Sequence, residues 1–447
     1  MCTGTSSETP SRRLLEIPEL TSDRDIFSPR AARLGLVVLT LINLFNYLDR
    51  YVVASLVESL KKPPLNLSDT QLGSLMTGFV IVYMLTSPIF GTLGDRRGRP
   101  RLLALGVGIW SAATALGGLA RNFAGLFAAR ATVGVGEAAY GTIAPALLAD
   151  YFPREKRGRV FAVFFAAIPI GSAAGYVLGG LMDQKFGWRA AFFVAGIPGL
   201  LLALLCLGLK DPPRGAQDEQ PGDELRPHPG PLPGLSSQAR RAKEEGEGVR
   251  AAYARLLKNR PYRLTVLGYA AYTFALGGLA FWAPAFLERV RGMPKAQATV
   301  QFGSIVVVTG FVGTFAGGWA GDFFLRRSKE AYLWVSGWVT LAAAPAALLA
   351  FVSPNPAVYM PAIVVTELLL FASTGPINSA IVNVVAPTER ATAVALSILG
   401  IHLLGDVPSP PIIGALSDAT SLGTAFLILP AVIAVAGGIW LYAAKRS

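Results

Sequence analysis

Twelve runs of apolar residues, each about twenty long or more, follow one another along the chain, near 31–60, 69–94, 101–120, 123–150, 158–182, 188–209, 262–288, 298–325, 331–352, 357–386, 391–417 and 422–443. Twenty helical residues rise about 30 Å, the thickness of bilayer hydrocarbon, where each backbone polar group must be satisfied within its own segment. No strand-like alternation over ten-residue segments competes with this reading. The runs predict an all-α membrane protein of 12 transmembrane helices. With 52% of its 447 residues hydrophobic and only 15% charged, the chain is no ordinary soluble domain. Its net charge of +12 falls in short clusters between the runs, a pattern of membrane topology rather than of a nucleic-acid partner. The two cysteines, Cys2 and Cys206, exclude a disulfide framework or a cysteine-rich metal site, and no cofactor or metal is expected.

Lysine and arginine set the expected orientation. If both termini share one side, 30 of the 40 basic residues fall there, so both termini are expected in the cytoplasm, beneath an inner or plasma membrane. Lys61 and Lys62 run against that bias. The first thirty residues are polar, with Pro10, Pro18 and Pro29 and no basic start leading into an apolar core, so no cleaved leader is expected. The longest polar interval separates six runs from six. It divides the chain into a tail (1–30), a first six-helix bundle (31–210), a linker (211–257) and a second bundle (258–447). The linker is Pro/Gly-rich from Pro212 to Pro233 and then has the composition of an amphipathic surface helix from Ser236 to Lys258. The halves also echo each other. Gly91-Thr92-Leu93-Gly94-Asp95-Arg96-Arg97-Gly98-Arg99 follows the second run, and Gly317-Gly318-Trp319-Ala320-Gly321-Asp322 with Arg326-Arg327 follows the eighth. Pro153-Arg154-Glu155-Lys156-Arg157 after the fourth run is matched by Pro387-Thr388-Glu389-Arg390 after the tenth. Two echoes at closely similar offsets predict a duplicated six-helix unit, both copies in one orientation.

The first run contains Asn43-Leu44-Phe45-Asn46-Tyr47-Leu48-Asp49-Arg50-Tyr51. An ionised side chain at the centre of a membrane helix costs roughly 2.5–3.5 kcal/mol on insertion scales, so Asp49 and Arg50 need partners or water. The fourth run supplies candidates in Arg130 and Glu137, two helical turns apart on one face, with Arg50 at a depth between them. Left unpaired, these four charges cost on the order of 10 kcal/mol, as much as the net stability of a whole protein. Two readings stay open. The cluster is a structural set of ion pairs, or it is a site in which Arg50, with Asn43, Asn46 and Tyr47 beside it, binds an anionic head group while Glu137 or Asp49 carries a proton as the coupling ion. In the second half, Glu367 stands near the counterpart position of Glu137. His402 and Asp406, at i and i+4, precede Pro408-Ser409-Pro410-Pro411, which must break the helix. These three are further candidates for coupling. Gly171, Gly175 and Gly179 recur every four residues, the spacing of a close helix contact. The seventh run holds Tyr269, Tyr272, Phe274, Phe281 and Trp282, compatible with an acyl chain in the cavity.

The Gly91–Arg99 stretch, set in a six-plus-six architecture with a long central loop, resembles the signature loop between helices 2 and 3 of the major facilitator superfamily. The resemblance implies the major facilitator fold, two pseudo-symmetric six-helix bundles, with Gly91, Asp95, Arg96, Arg99 and the echoed Asp322 as a conformational latch. The fifth run resembles the helix-5 motif of the superfamily's antiporters, with Tyr176 where a proline is usual. A narrower resemblance lies in Asn46–Tyr51, in Gly136-Glu137-Ala138-Ala139-Tyr140-Gly141-Thr142-Ile143-Ala144-Pro145, and in Ala167–Ser172 leading to Gly175-Tyr176. These look like the spinster branch, whose animal members move lysophospholipids or sphingosine phosphate. That branch implies an amphiphilic lipid substrate, with Asp49, Arg50 and Glu137 in the family's polar cluster, and the chain is expected to be a monomeric secondary transporter working by alternating access. The alternatives are a broad-specificity drug or organic-anion exporter, a membrane-embedded lipid enzyme, and a sensor that binds without translocating. Against the enzyme stand the lack of a Gly-x-x-x-x-Gly-Lys-Ser/Thr loop and of a His-Glu-x-x-His pair.

Overall fold

The computed structural model describes residues 29–214, 216–217, 253–385 and 390–446; most of the expected linker helix and the tail lie outside them. The first half consists of α1 (Pro29–Ser55), α2 (Asp69–Arg96), α3 (Arg99–Gly117), α4 (Phe123–Tyr151), α5 (Arg154–Phe186) and α6 (Trp188–Leu207). The second consists of α7 (Arg260–Arg289), α8 (Lys295–Leu325), α9 (Ala331–Val352), α10 (Pro356–Asn383), a path broken into α11 (Arg390–Ile401) and α12 (Ser409–Ala419), and α13 (Ile428–Arg446). Ten of these paths are long and apolar enough to cross a membrane. The other two, α3 and α4, have 19 and 29 residues and carry the arginines and Glu137 that lower their apolarity.

Local chemistry sets the helix ends. Ser68 and Gln71 form a reciprocal capping box at the start of α2. Asn122, Asn259 and Asn355 cap α4, α7 and α10 through their side-chain oxygens, and a proline follows at the first turn of α7 and α10. At Gly187, φ +82° turns the chain from α5 into α6 without the steric cost a side chain imposes. The expected first span to residue 60 is interrupted. The α1 ladder stops at Ser55, and a separate turn of helix covers Val57–Leu60.

The packing repeats between halves. In the first, α1 packs on α5, α2 on α4, and α3 on both α4 and α6; in the second, α7 packs on the broken path, α8 on α10, and α9 on both α10 and α13. The halves meet along α5 with α8 and along α2 with α12. Added side chains at Gly171, Gly175 and Gly179 would run into Leu44 O, Leu48 O and Ser55, so the glycine face of α5 is what lets it lie against the charged helix α1.

One end of the bundle, where α1 and α7 stop and α2 begins, is closed by polar contacts between halves. Arg289 of α7 donates to Glu58 Oε1 at 2.5 Å and to Asp69 Oδ2 at 2.5 Å, while Ser417 of α12 donates to Asp69. Asp418 accepts from the backbone N–H groups of Asp69 and Thr70 at 2.9 and 2.8 Å and from the Thr70 hydroxyl. Lys295 of α8 donates to Asp183 of α5 and to Ser59. Lys61, on the side with few basic residues, donates to Asp69, which gives it a local partner. At the opposite end, Arg99 is buried and bonded to Asp150 of α4 and to Asp211 and the Pro212 carbonyl where the linker begins. Arg214 donates to the carbonyls of Gly94 and Arg97, tying the start of the linker to the same loop.

Candidate functional site

The charged stretch of α1 meets α4 crosswise. Arg50 donates to Glu137 Oε2 at 2.6 Å, and Asp49 accepts from Arg130 Nη1 at 3.3 Å on both of its oxygens. Thr114 of α3 adds a 2.8 Å donation to Asp49 Oδ2. Neighbours in sequence on a helix point about 100° apart, so Asp49 and Arg50 turn to different parts of α4 and each pairs with the opposite charge there. Asp49, Arg130 and Glu137 are buried, whereas the Arg50 side chain keeps 21% exposure. The Arg50 guanidinium lies among three rings, 4.8 Å from the centre of Tyr47, 5.1 Å from Phe79 and 5.8 Å from Tyr83. Three buried polar atoms here, Asn46 Nδ2, Arg50 Nε and Glu137 Oε1, have no hydrogen-bond partner among the described residues. Asn43, by contrast, is committed to the scaffold, donating to the Phe164 carbonyl of α5 at 2.9 Å.

On the facing half, His402 and Asp406 are joined at 2.8 Å through Nδ1. They lie at the two ends of a π-helical turn, His402–Asp406, closed by Val407 N–H donating to His402 O. The wider turn precedes the proline cluster and breaks the path into α11 and α12, a geometry frequent at functional sites. A small pocket of about 150 Å3 lies between Arg50 on one half and Asp406 on the other, with Thr273 and Met76 in its wall.

Next to it is a larger cavity of about 460 Å3, walled by Phe165 and Pro169 of α5, Phe311 and Phe315 of α8, and Phe371 of α10. Tyr51, Leu276 and Ala280 line both spaces. Glu367 is the charged residue in the larger wall; it is 2% exposed and has no ion-pair or hydrogen-bond partner among the described residues. The aromatic wall therefore comes from α5, α8 and α10. The expected α7 aromatics do not supply it. Tyr272 donates to Leu370 O and Trp282 to Pro410 O within the second half, and of the five only Phe281 lines either space, the smaller one. Tyr176, at the position of the antiporter proline, donates to the Ala280 carbonyl of α7 at 2.5 Å and so bridges the halves.

The loop residues expected as a latch are not gathered into one contact. Arg99 is held by Asp150 of the first half and by Asp211 at the start of the linker, Arg96 is exposed, and the Asp95 side chain lies outside the described residues. Gly91 borders open space instead of a close helix contact, while Gly94 packs against Ile143. Asp322 accepts from Tyr332 in the second half.

Comparison with known proteins bears on the fold and the family. Residues 39–405 match the family model described as Major Facilitator Superfamily, and the chain belongs to that superfamily. Its relatives place it more narrowly. It is 35% identical over 422 residues to protein spinster homolog 3 of Danio rerio, covering 90% of this chain and 80% of that protein. It is 32% identical to the sphingosine-1-phosphate transporter SPNS2 of Mus musculus, covering 90% of this chain and 75% of that protein. Protein spinster of Drosophila melanogaster is 34% identical over 86% of this chain, which spans 61% of the fly protein's length. The chain is a multi-pass membrane protein of the spinster branch. The crystal structure of a bacterial homolog to the human lysosomal transporter Spinster, in an inward-facing and unoccupied conformation, superimposes with a TM-score of 0.79 at 24% identity, over 94% of this chain and 98% of that one, and shares its fold.

Proposed function

We propose that the chain is a secondary transporter that moves an amphiphilic lipid, such as a lysophospholipid or sphingoid phosphate, by alternating access coupled to protons. The observation that carries this reading is a charged pocket adjoining an apolar one: Tyr51, Leu276 and Ala280 form a shared wall between the Arg50–Asp406 space and the cavity lined by phenylalanines. A molecule with a charged head and a hydrocarbon tail satisfies both spaces at once, and a purely polar or purely apolar solute satisfies only one. Arg50, exposed on one side and held from the other by Glu137, is the contact for an anionic head group. Glu137, whose Oε1 has no partner among the described residues, carries the proton. The name of the mouse relative, a sphingosine-1-phosphate transporter, supports the substrate class. The distribution of basic residues supports cytoplasmic termini.

Purified protein reconstituted in vesicles with labelled lysophospholipid and an imposed pH gradient tests the reading. Uptake by wild type and its loss in Arg50→Ala are expected, and equal uptake by the two proteins sinks the head-group role. Glu137→Gln that keeps full dependence on the gradient removes the proton role. One observation favours a second reading, a drug exporter for organic cations: the lone carboxylate of Glu367 in an apolar wall. A panel of cationic dyes that outcompetes lysolipid in wild type but not in Glu367→Gln selects it.

A further inference from the structure

Buried threonines of the spanning helices commonly spend their hydroxyl on their own backbone one turn back. Thr265, Thr299, Thr309 and Thr366 do so at 2.7–3.0 Å. Thr114 does not. Its hydroxyl crosses from α3 to Asp49 of α1, and it is the one buried threonine among the described residues that meets a carboxylate.

This contact makes the two carboxylates of the cluster chemically unequal. Both oxygens of Asp49 already accept, from Arg130 and, at Oδ2, from Thr114 as well. A proton on either oxygen of Asp49 faces the guanidinium of Arg130, which has no lone pair to take it, and at Oδ2 it also forces the Thr114 hydroxyl to turn from donor to acceptor. Among the described residues Glu137 accepts at Oε2 only and its Oε1 has no partner, so a proton there displaces nothing. The charged groups facing the pair are Arg50 on α1 and Arg130 on α4. Of the other helices packed nearby, α5 brings Tyr176 and Asp183, the latter bonded to Lys295, and α6 brings Arg189 and Cys206. From α2 comes Tyr83, and from α7 come Tyr269 and Tyr272. None of these bonds to Asp49 or Glu137 in the structure.

We infer that Thr114 is a positioning residue that, together with Arg130, holds Asp49 as the fixed anion of the cluster and thereby directs proton uptake to Glu137. The inference rests on the proton-coupled reading above, but its test does not pass through transport. Infrared titration of purified protein in a Glu367→Gln background follows the carboxylic-acid carbonyl band that appears on acidification. The band is expected to survive Asp49→Asn and to vanish in Glu137→Gln. In Thr114→Val a second band is expected, removable by Asp49→Asn, because loss of a hydrogen bond to a charged group raises the pH at which Asp49 protonates by about one to two units. Thr114→Ser, which keeps the hydroxyl, is expected to titrate as wild type, and Thr114→Ala gives the same comparison should the valine variant not purify. A Thr114→Val titration that overlays wild type overturns the inference, as does a wild-type band that Asp49→Asn removes. Absence of lipid uptake alongside the expected titration counts against the transport reading alone.

Discussion

At the scale of single residues, the guanidinium of Arg50 is a planar group stacked among rings, which a lysine cannot copy. Arg50→Lys keeps the charge and loses the stacking and the fork toward Glu137. It is expected to cost about 1–2 kcal/mol in head-group affinity, roughly a five- to thirtyfold weaker Kd, read by competition binding of labelled lysolipid. Asp49 predicts a different outcome. Removing it in Asp49→Ala leaves Arg130 buried without its carboxylate, which costs on the order of 3–5 kcal/mol and lowers the thermal midpoint of purified protein, whereas Asp49→Ala/Arg130→Met is expected to recover part of that loss. These charges were legible in the sequence because they stand out against an apolar background and because helical rise gives their depth. Their crosswise pairing was not. Depth along an axis leaves open which way each side chain points around it, and the azimuth is set only when α5 fixes the rotation of α1. Thr114 was missed for a related reason, since nothing in the sequence separates a threonine that bonds its own helix from one that reaches a neighbour.

Among elements, the glycine face of α5 and the broken α11–α12 path followed from spacing and proline content alone. The close approach it predicts brings carbonyls of α1 against Gly171 and Gly175. Gly175→Leu is therefore expected to separate α1 from α5 and destabilise the protein by about 1–3 kcal/mol or more, with the loss seen as earlier thermal unfolding. The π turn at His402–Asp406 was not foreseen, because the proline cluster announces an interruption without specifying the hydrogen-bond register on its N-terminal side. The aromatic lining was misplaced onto α7 for a similar reason. Aromatic residues crowd α7, but the tertiary contacts of Tyr272 and Trp282 turn them into the second half, and the cavity wall falls to α5, α8 and α10, where phenylalanines are more thinly spread.

For the whole molecule, the repeat was legible as two echoed loops, and the structure repeats it as one packing scheme used twice. What the sequence could not supply is how the halves are joined, since Arg289, Asp69 and Asp418 lie far apart in the chain. In the proposed cycle these contacts must break for the cavity to face the closed end. Asp183→Lys is expected to set like charges against each other at Lys295 and favour that opening. It would be read as faster labelling of Ser172→Cys, in a Cys2→Ser/Cys206→Ser background, by an impermeant thiol reagent added from that side. Asp183→Lys/Lys295→Asp is expected to restore the slower labelling. The contact at Asp418 has a consequence of another kind. The first turn of α2 is completed by a carboxylate from the other half, so α2 is a finished helix only while the halves touch. Parting them is thus also a fraying event, and the amide protons of Asp69 and Thr70 become a clock built into the backbone: their exchange with deuterated solvent should run at the rate at which the closed end opens, and Asp418→Ala should set that clock running fast.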